Sequence, residues 1–205
     1  MEPQTKERPT RGRPSRRPEI IAATERLVRS RGLASVTTRA IAEEAGCSEA
    51  ALYVHFEGRL HLLLAVLEES LPDMLIPLRT LEQAVGRSTP RENLLSAVQA
   101  VYAFHERVIP MICGLFADPE LLAAYRKSLT DRNKGPAAAI SRLRSYVHAE
   151  QELGRIDKRA DAELVGTTLM ASSFFQAFTG QFFGAPEPFD RFARRLVEAL
   201  LDKER

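Results

Sequence analysis

The sequence of 205 residues has only two cysteines, Cys47 and Cys113, which lie far apart in apolar surroundings. We predict that both are small buried thiols, with a disulfide or a redox switch as the alternative. Cys113 has no obvious basic partner that would make it a nucleophile.

Long apolar runs are also missing. No uninterrupted apolar segment is long enough to cross a bilayer, and the N-terminus has no apolar signal core. We therefore expect a cytoplasmic protein that has no membrane partner.

The usual sequence marks of an enzyme are absent as well. There is no glycine-rich phosphate loop and no cluster of metal-ligand residues. His105 and Glu106 begin like a metalloprotease motif, but the second histidine at the required spacing is missing. We expect a protein that is not an enzyme and that holds no cofactor and no metal.

Charge is nearly balanced overall, at +2, but it is unevenly distributed along the chain. Residues 1–66 carry 11 Lys and Arg against 8 Asp and Glu, and the segment "KERPTRGRPSRR" (6–17) holds six basic residues and one acidic residue. A cluster of positive charge at one end favours a polyanionic partner. The segment 1–17 has little to bury, so we predict a flexible basic arm.

The two-residue alternation typical of strands is not found, and apolar residues recur at helical spacing instead. Pro72 and Pro77 are predicted to kink or break the fourth helix, which begins near Arg59. Proline-containing stops and starts then delimit the later helices, at roughly 90–113, 119–131, 136–152, 160–182 and 189–201. The predicted fold class is all-α, with a small N-terminal helical unit at 18–64 and a larger helical body at 65–205.

The most informative segment is "TTRAIAEEAGCSEAALYVHF", residues 37–56. Thr37 and Ser48 can cap two short helices, and Gly46 between them can adopt the positive φ that a sharp reversal needs. Ala42 is small where the helices would cross, and Leu52 faces inward. This pattern predicts a helix-turn-helix, which places its second helix in the major groove of DNA. A packed helical hairpin without DNA binding is the alternative.

The segment "IIAATERLVRSRGLASVTTRAIAEEAGCSEAALYVHFEGRLHLLLAVLE" (20–68) resembles the TetR family of bacterial transcriptional regulators. The resemblance covers about a quarter of the chain. It implies that the start of the second helix contacts the phosphate backbone and that the start of the third faces base edges. It also implies that Arg59 contacts phosphate. The predicted DNA-contacting residues, including three from the arm, are Arg13, Arg16, Arg17, Thr37, Thr38, Arg39, Ser48, Glu49, Ala50, Ala51, Tyr53, His55 and Arg59.

Three features of this set leave alternatives open. Leu60 stands where the family usually has an acidic residue, and Glu49 stands where many members have a basic one. Glu49 could accept from a cytosine amine, or it could complement the positive end of its own helix, which we favour. The arm "RGRPSRR" could lie in the minor groove or along phosphates, or it could be a solubilising tail.

The body is rich in large soft side chains between about 100 and 180, which suits either a core or an apolar cavity with a few polar groups. The resemblance implies a pocket for a small-molecule inducer there, without saying which side chains line it. His105, Tyr125, Gln176 and Thr179 are candidates for its polar groups. The predicted ligand-binding residues are Phe104, His105, Met111, Phe116, Tyr125, Met170, Phe174 and Phe178.

The last two helices mix small residues with an apolar stripe, as a helix–helix interface does. The resemblance implies a symmetric four-helix contact between two subunits; burial against their own domain is the alternative. The predicted homodimer interface is Leu169, Ser173, Ala177, Phe189, Phe192, Leu196 and Leu200. A two-fold dimer would read a near-palindromic operator in double-stranded DNA.

The function predicted from these features is a sequence-specific DNA-binding regulator, a repressor that a small, largely apolar ligand releases from its operator. The alternative is a DNA-binding regulator without a ligand, acting as a constitutive repressor or activator.

Overall fold

The computed structural model describes residues 15–69, 75–184 and 187–201, and the side chain of Ala34 is not described. These ranges contain no strand, so the predicted all-α fold class is confirmed. The helices are α1 (Arg17–Arg31), α2 (Thr38–Glu44), α3 (Glu49–His55), α4 (Arg59–Glu69), α5 (Leu75–Gln83), α6 (Pro90–Leu115), α7 (Pro119–Asp131), α8 (Pro136–Glu152), α9 (Ala162–Phe183) and α10 (Phe189–Leu201), with a 3-10 turn at Leu33–Ser35.

The helices of the N-terminal unit begin at the residues that the sequence indicates. Pro18 lies in the first turn of α1, where its missing N–H leaves no hydrogen bond unmade. Thr37 and Ser48 cap α2 and α3 by accepting from the backbone N–H of Ala40 and Ala51. Gly46 has a φ of 63° and makes the reversal between α2 and α3.

The prolines of the body start helices more often than they end them. Pro77 falls in the first turn of α5, so the sequence missed α5 by treating this proline only as a break. Pro110 lies inside α6, which continues past it to Leu115. Pro72 lies outside the described residues. A capping box at Thr89 and a side-chain cap at Asp161 begin α6 and α9.

Two apolar clusters fill the described part of the molecule, and the first one crosses from the N-terminal unit into the body. It joins the inward faces of α1 to α4 to Met111 and Leu115 of α6 and Leu121 of α7, each at most 1% exposed. The second cluster lies among α5, α6, α8, α9 and α10. The predicted boundary between residues 64 and 65 falls inside α4, so the N-terminal unit and the body share a continuous helix.

The structure corrects the prediction of two buried thiols. Cys47 is half-buried, and Cys113 is exposed because it lies on the outer side of α6, between the inward-facing Met111 and Leu115. Neither cysteine forms a disulfide.

Within the described ranges, no single helix has the length and apolar character of a membrane span. The bent pair of α3 and α4, with an angle of 63° between them, meets those criteria only when both are counted together.

Gly114 marks a close approach between the body and the N-terminal unit. A Cβ built on Gly114 would stand 2.7 Å from Cβ of Leu33 in the 3-10 turn. Leu33 is itself 3% exposed and belongs to the first cluster, so it has little room to move. Only glycine allows α6 to pack this closely.

Replacing Gly114 with alanine is therefore expected to lower the free energy of unfolding by about 1–3 kcal/mol, the usual cost of overpacking. Gly180→Ala is the matched control, because its Cβ would meet nothing within 4 Å and alanine is the better helix former. Chemical denaturation of both variants and the parent protein measures the difference. Equal stability of Gly114→Ala and the parent would contradict the packing argument.

Candidate DNA-binding face and ligand cavity

The outer surface of α3 is open to solvent along its length. Tyr53 is 56% exposed and Val54 is 78% exposed, whereas Leu52 is 2% exposed and packs into the first cluster. The predicted contact residues on this surface are exposed or half-buried: Ser48, Glu49, Ala50, Ala51, Tyr53 and His55. The hydroxyl of Tyr53 has no hydrogen-bond partner among the described residues, so it remains available to an outside acceptor.

The N-terminus of α2 lies beside the N-terminus of α3. Oγ1 of Thr38 donates to the Glu49 carboxylate at 2.9 Å, which ties the starts of the two helices together. Glu49 is also the first residue of α3, where its charge complements the positive helix end. This contact supports a role for Glu49 in holding the two helix starts. Thr37 remains exposed beside them.

Two of the predicted arginines lie near this face. Arg16 is exposed and donates to the carbonyl oxygen of Gly46 at 3.2 Å, which places it at the turn between α2 and α3. The side chain of Arg39 is 80% exposed and pairs with Glu43 on the same helix at 3.1 Å. An exposed pair of this kind is weak and readily exchanged for another anion.

Arg17, another predicted DNA contact, is paired within the protein. Its guanidinium forms an ion pair with Glu69 of α4 and lies 5.1 Å from the centre of the Phe56 ring. The hydrogen bond to Arg17 lowers the pKa of Glu69 below its ordinary value. Arg17 thus joins α1 to the end of α4. The predicted contact at Arg13 lies outside the described residues.

Arg59, predicted to contact phosphate, also has its hydrogen-bond partners within the protein. Its Nε donates to the carbonyl oxygen of Val36 at 2.8 Å, and its two terminal nitrogens donate to the carbonyl oxygen of Leu33 and to Asp118, both at 3.1 Å. Asp118 caps α7, and its pKa is lowered first by the backbone N–H of Leu121 and then by Arg59. Arg59 therefore bridges the 3-10 turn and the body.

A cavity of about 260 Å³ lies in the body, bordered by α4, α5, α6, α7, α9 and the start of α8. Its wall contains four of the predicted ligand residues, Phe104, His105, Tyr125 and Phe174. Sequence reasoning missed its other lining residues, which are Leu67, Glu68, Leu75, Ile112, Ser128, Leu129, Arg132, Lys134, Gly135 and Pro136. Ser128 and Arg132 are four residues apart at the end of α7, and this spacing places both on one side of the helix. It could have indicated a polar edge of the cavity.

Four other predicted ligand residues do not line this cavity. Met111 is 1% exposed in the first cluster, and Met170 is 5% exposed in the second, so both are core residues. Phe116 is 70% exposed because it follows the end of α6. Phe178 lies one turn beyond Phe174 and stacks on it, with ring centres 6.0 Å apart.

Two of the three charged side chains of the cavity wall, Glu68 and Arg132, are paired with each other, and the third is Lys134. The Glu68 carboxylate accepts from the hydroxyl of Ser128 and from Arg132, the latter at 2.6 Å. The pKa of the Tyr125 hydroxyl is raised, mainly by burial and in addition by the charge of Glu68 nearby. Glu68 and Glu69 are neighbours in the last turn of α4. Glu68 lines the cavity, and Glu69 pairs with Arg17 of α1.

His105 is the most buried polar side chain of the cavity wall, at 6% exposed. Its Nδ1 lies 3.1 Å from Oγ of Ser173, which itself donates to the carbonyl oxygen of Met170 at 2.9 Å. Burial lowers the pKa of His105 to about 4, so the ring is neutral at pH 7. The rings of Phe174 and Phe104 lie 5.5 and 5.7 Å away.

The predicted dimer surface is partly wrong. Leu169, Ser173 and Ala177 are at most 1% exposed, because this side of α9 packs against α6 and α8 inside the same chain. Phe189 stacks on Tyr102 of α6 with ring centres 3.8 Å apart, and Phe192, Leu196 and Leu200 are half-buried. The outward apolar surface of α9 is formed instead by Leu164, Phe174, Phe175, Phe182 and Phe183, which are 43–87% exposed.

No group of three or more His, Cys, Asp or Glu side chains that could hold a metal ion occurs in the part of the chain that the structure describes.

Comparison with known proteins gives the same picture of the N-terminal unit. Residues 20–66 match the model of the bacterial regulatory proteins of the tetR family. The HTH-type transcriptional regulator BetI of Brucella anthropi is 37% identical over 86 residues, which are 42% of this chain and 43% of BetI. The chain thus spans less than half the length of the first curated relatives that it matches.

Solved structures agree with the whole chain in fold. A protein described as a TetR-family transcriptional regulator from Mesorhizobium loti superposes with a TM-score of 0.73 at 18% identity, covering 91% of this chain and 95% of that one. SmeT of Stenotrophomonas maltophilia in complex with triclosan superposes with a TM-score of 0.68 at 20% identity, covering 90% of each chain.

The family model and the curated relatives are those of transcriptional regulators, and this confirms the prediction that the protein is not an enzyme. The match of residues 20–66, the helix-turn-helix geometry of α2 and α3 and the helical body behind them agree with one another. The chain therefore belongs to the TetR family of bacterial regulatory proteins.

Proposed function

We propose that this protein is a dimeric repressor of transcription that binds operator DNA through α3 and leaves it when a small, largely apolar ligand enters the body. The observation that carries the proposal is the open outer face of α3. Tyr53 and Val54 project from it, and its other side is anchored in the core by Leu52. A helix held in this way can enter a major groove without rearranging its own domain.

The polar groups around α3 suit a phosphate backbone on both sides of a groove. The exposed caps Thr37 and Ser48 begin α2 and α3, whose first turns are joined by the Thr38–Glu49 hydrogen bond, and Arg16 lies at the turn between the two helices. Such groups fix the position of a protein on a duplex and carry no base sequence themselves. Ser48, Ala50 and Ala51 at the start of α3 would then face base edges.

A homodimer is supported by the exposed side of α9. Phe175, Phe182 and Phe183 are 62%, 65% and 87% exposed, which is a costly arrangement for aromatic rings in water. Two copies meeting at this surface would bury the rings and bring two α3 helices into one assembly. One α3 alone reads too few base pairs to find an operator.

Ligand control is supported by the position of the cavity against α4. This helix packs on α1 at one side and on α7 at the other, and its last turn contributes Glu68 to the cavity and Glu69 to Arg17 of α1. A ligand that shifts α4 would change the orientation of the N-terminal unit. The structurally similar SmeT binds triclosan, a small and mostly apolar compound.

The coupling must be reciprocal, because a ligand that weakens DNA binding is itself bound more weakly by the DNA complex. A typical coupling free energy of about 1–3 kcal/mol corresponds to a change of roughly 5–150-fold in affinity. Titration of a fluorescent duplex, taken from the DNA that flanks the gene, with protein and then with apolar compounds tests the proposal. A complex that forms but never dissociates with any such compound would leave a DNA-binding regulator without a ligand.

Replacing Tyr53 with phenylalanine is expected to weaken binding by about 5–10-fold on operator and on unrelated duplexes alike, because the lost hydroxyl donates to phosphate. Fluorescence anisotropy with both kinds of duplex measures it. Tyr102→Phe in the body is the control and leaves both affinities unchanged. A loss on the operator alone would contradict the phosphate role.

The two arginines Arg16 and Arg59 are expected to differ in the salt dependence of DNA binding. Arg16→Ala removes one phosphate contact and reduces the slope of log K against log salt by about 0.9. Arg59→Met leaves the slope unchanged, because its guanidinium is held by the carbonyl oxygens of residues 33 and 36 and by Asp118, but it lowers the melting temperature. A reduced slope for Arg59→Met would mean that Arg59 does contact phosphate.

Introducing a charge on the exposed face of α9 is expected to separate the dimer. Phe175→Asp would place a carboxylate in the proposed interface, so sedimentation should give the mass of a single chain at concentrations where the parent protein is a dimer. Phe116→Asp is the matched control, since Phe116 is similarly exposed, at 70%, but lies at the end of α6. A dimer that persists in Phe175→Asp would place the interface elsewhere.

A further inference from the structure

The hydrogen bonds around His105 determine what a ligand can offer it. The hydroxyl of Ser173 has one hydrogen, which it donates to the carbonyl oxygen of Met170. Its oxygen can then only accept from the ring, so the proton of the neutral His105 lies on Nδ1. The other nitrogen, Nε2, is consequently an acceptor and not a donor.

Nε2 is also within reach of a ligand. It has no hydrogen-bond partner among the described residues, although the side chain is only 6% exposed. Glu150 Oε2 is the one side-chain atom of the described chain that is both fully sealed and without a hydrogen bond. Nε2 is therefore not sealed, and His105 is one of the residues that line the cavity. An unpaired acceptor in an apolar cavity favours a ligand that donates to it.

The paired charges of the cavity wall do not favour a ligand with a full charge. The Glu68 charge is already compensated by Arg132, and Ser128 donates a hydrogen bond to the same carboxylate, so an anion would meet the Glu68 carboxylate and a cation would meet the Arg132 guanidinium. Because His105 is neutral, it offers no counter-charge beside Phe104 and Phe174. The third charged side chain of the wall, Lys134, lies in the loop before α8. Separating the Glu68–Arg132 pair to accommodate a charged group would leave one partner half-buried and unpaired.

The size of the cavity limits the ligand to about one substituted ring. An apolar cavity of roughly 150 Å³ holds benzene, and cavities for drug-sized ligands begin near 300 Å³. The cavity here is about 260 Å³, and its aromatic side chains are Phe104, Tyr125 and Phe174. Aromatic side chains favour a ring that can meet them edge to face or offset.

We propose that the ligand is an uncharged substituted phenol whose hydroxyl donates to Nε2 of His105 while its ring lies among Phe104, Tyr125 and Phe174. This inference rests on the proposed function in placing the ligand in this cavity, and it adds the chemical class. A phenol is neutral at pH 7, since its pKa is close to that of tyrosine, near 10. Its hydroxyl is a donor that a purely apolar compound of the same shape lacks.

Four probes with one apolar body test the proposal: 4-tert-butylphenol, its methyl ether 4-tert-butylanisole, 4-tert-butylbenzoate and 4-tert-butylbenzylammonium. Isothermal titration calorimetry of the full-length protein measures their affinities at pH 7.5. The phenol is expected to bind about tenfold or more tightly than the methyl ether, which cannot donate, and more tightly than either ion. Equal affinity of phenol and ether, tighter binding of either ion, or no binding of the phenol at millimolar concentration would overturn the proposal.

Two variants assign the preference to His105. His105→Phe keeps an aromatic ring without the acceptor and is expected to bind phenol and ether equally, whereas His105→Gln keeps an acceptor and is expected to retain a preference for the phenol. A preference that survives in a folded His105→Phe would assign the donor contact to another group, such as Tyr125. The comparison of phenol and ether in the parent protein decides the proposal even if a variant does not fold.

The same titrations distinguish this inference from the proposed function. Phenol binding to the protein without release of the operator duplex would contradict ligand-controlled repression and leave the ligand class standing. Release of the duplex by the methyl ether as readily as by the phenol would support the proposed function and overturn the ligand class.

Discussion

The orientation of the N-terminal unit on the body depends on one guanidinium. Arg59, at the start of α4, bonds to the carbonyl oxygens of Val36 and Leu33 and to Asp118 of the body, all within 3.1 Å. A half-buried arginine with three such partners fixes both the turn that precedes α2 and its distance from α7. The close contact between Gly114 and Leu33 lies beside it. The N-terminal unit is therefore held by specific polar and apolar contacts, and its orientation follows the body.

The helix α4 is the element that both proposed sites share. Its inward side belongs to the first apolar cluster, together with Met111, Leu115 and Leu121 of the body. Its final turn carries two adjacent carboxylates with different partners: Glu68 pairs with Arg132 at the cavity, and Glu69 pairs with Arg17 of α1. A ligand in the cavity would thus contact α4 directly, and α4 packs against α1. Packed cores respond to such a change by moving whole elements and not by stretching.

The paired charges of the cavity and the neutral histidine act together on ligand choice. Burial in an apolar wall keeps His105 uncharged, and the Ser173 hydroxyl fixes which nitrogen carries its proton. Glu68 and Arg132, which also line the cavity, are paired with each other. A wall of this kind discriminates by hydrogen-bond direction more than by charge, because an unmade bond to a buried group is costly whereas an extra methylene is tolerated.

The sequence by itself determined the all-α class, the caps at Thr37 and Ser48, the reversal at Gly46 and the outward face of α3, because these depend on local backbone chemistry and on spacing within one helix. Only the tertiary structure decided which arginines are already bound, that Leu169, Ser173 and Ala177 face inward, that Met111 and Met170 are core residues, and that Glu68 and Arg132 meet at the cavity. Glu68 and Arg132 are 64 residues apart, and Arg59 and Asp118 are 59 apart. No periodicity within a single helix records which distant helix packs against it, so these contacts arise only when the whole chain has folded.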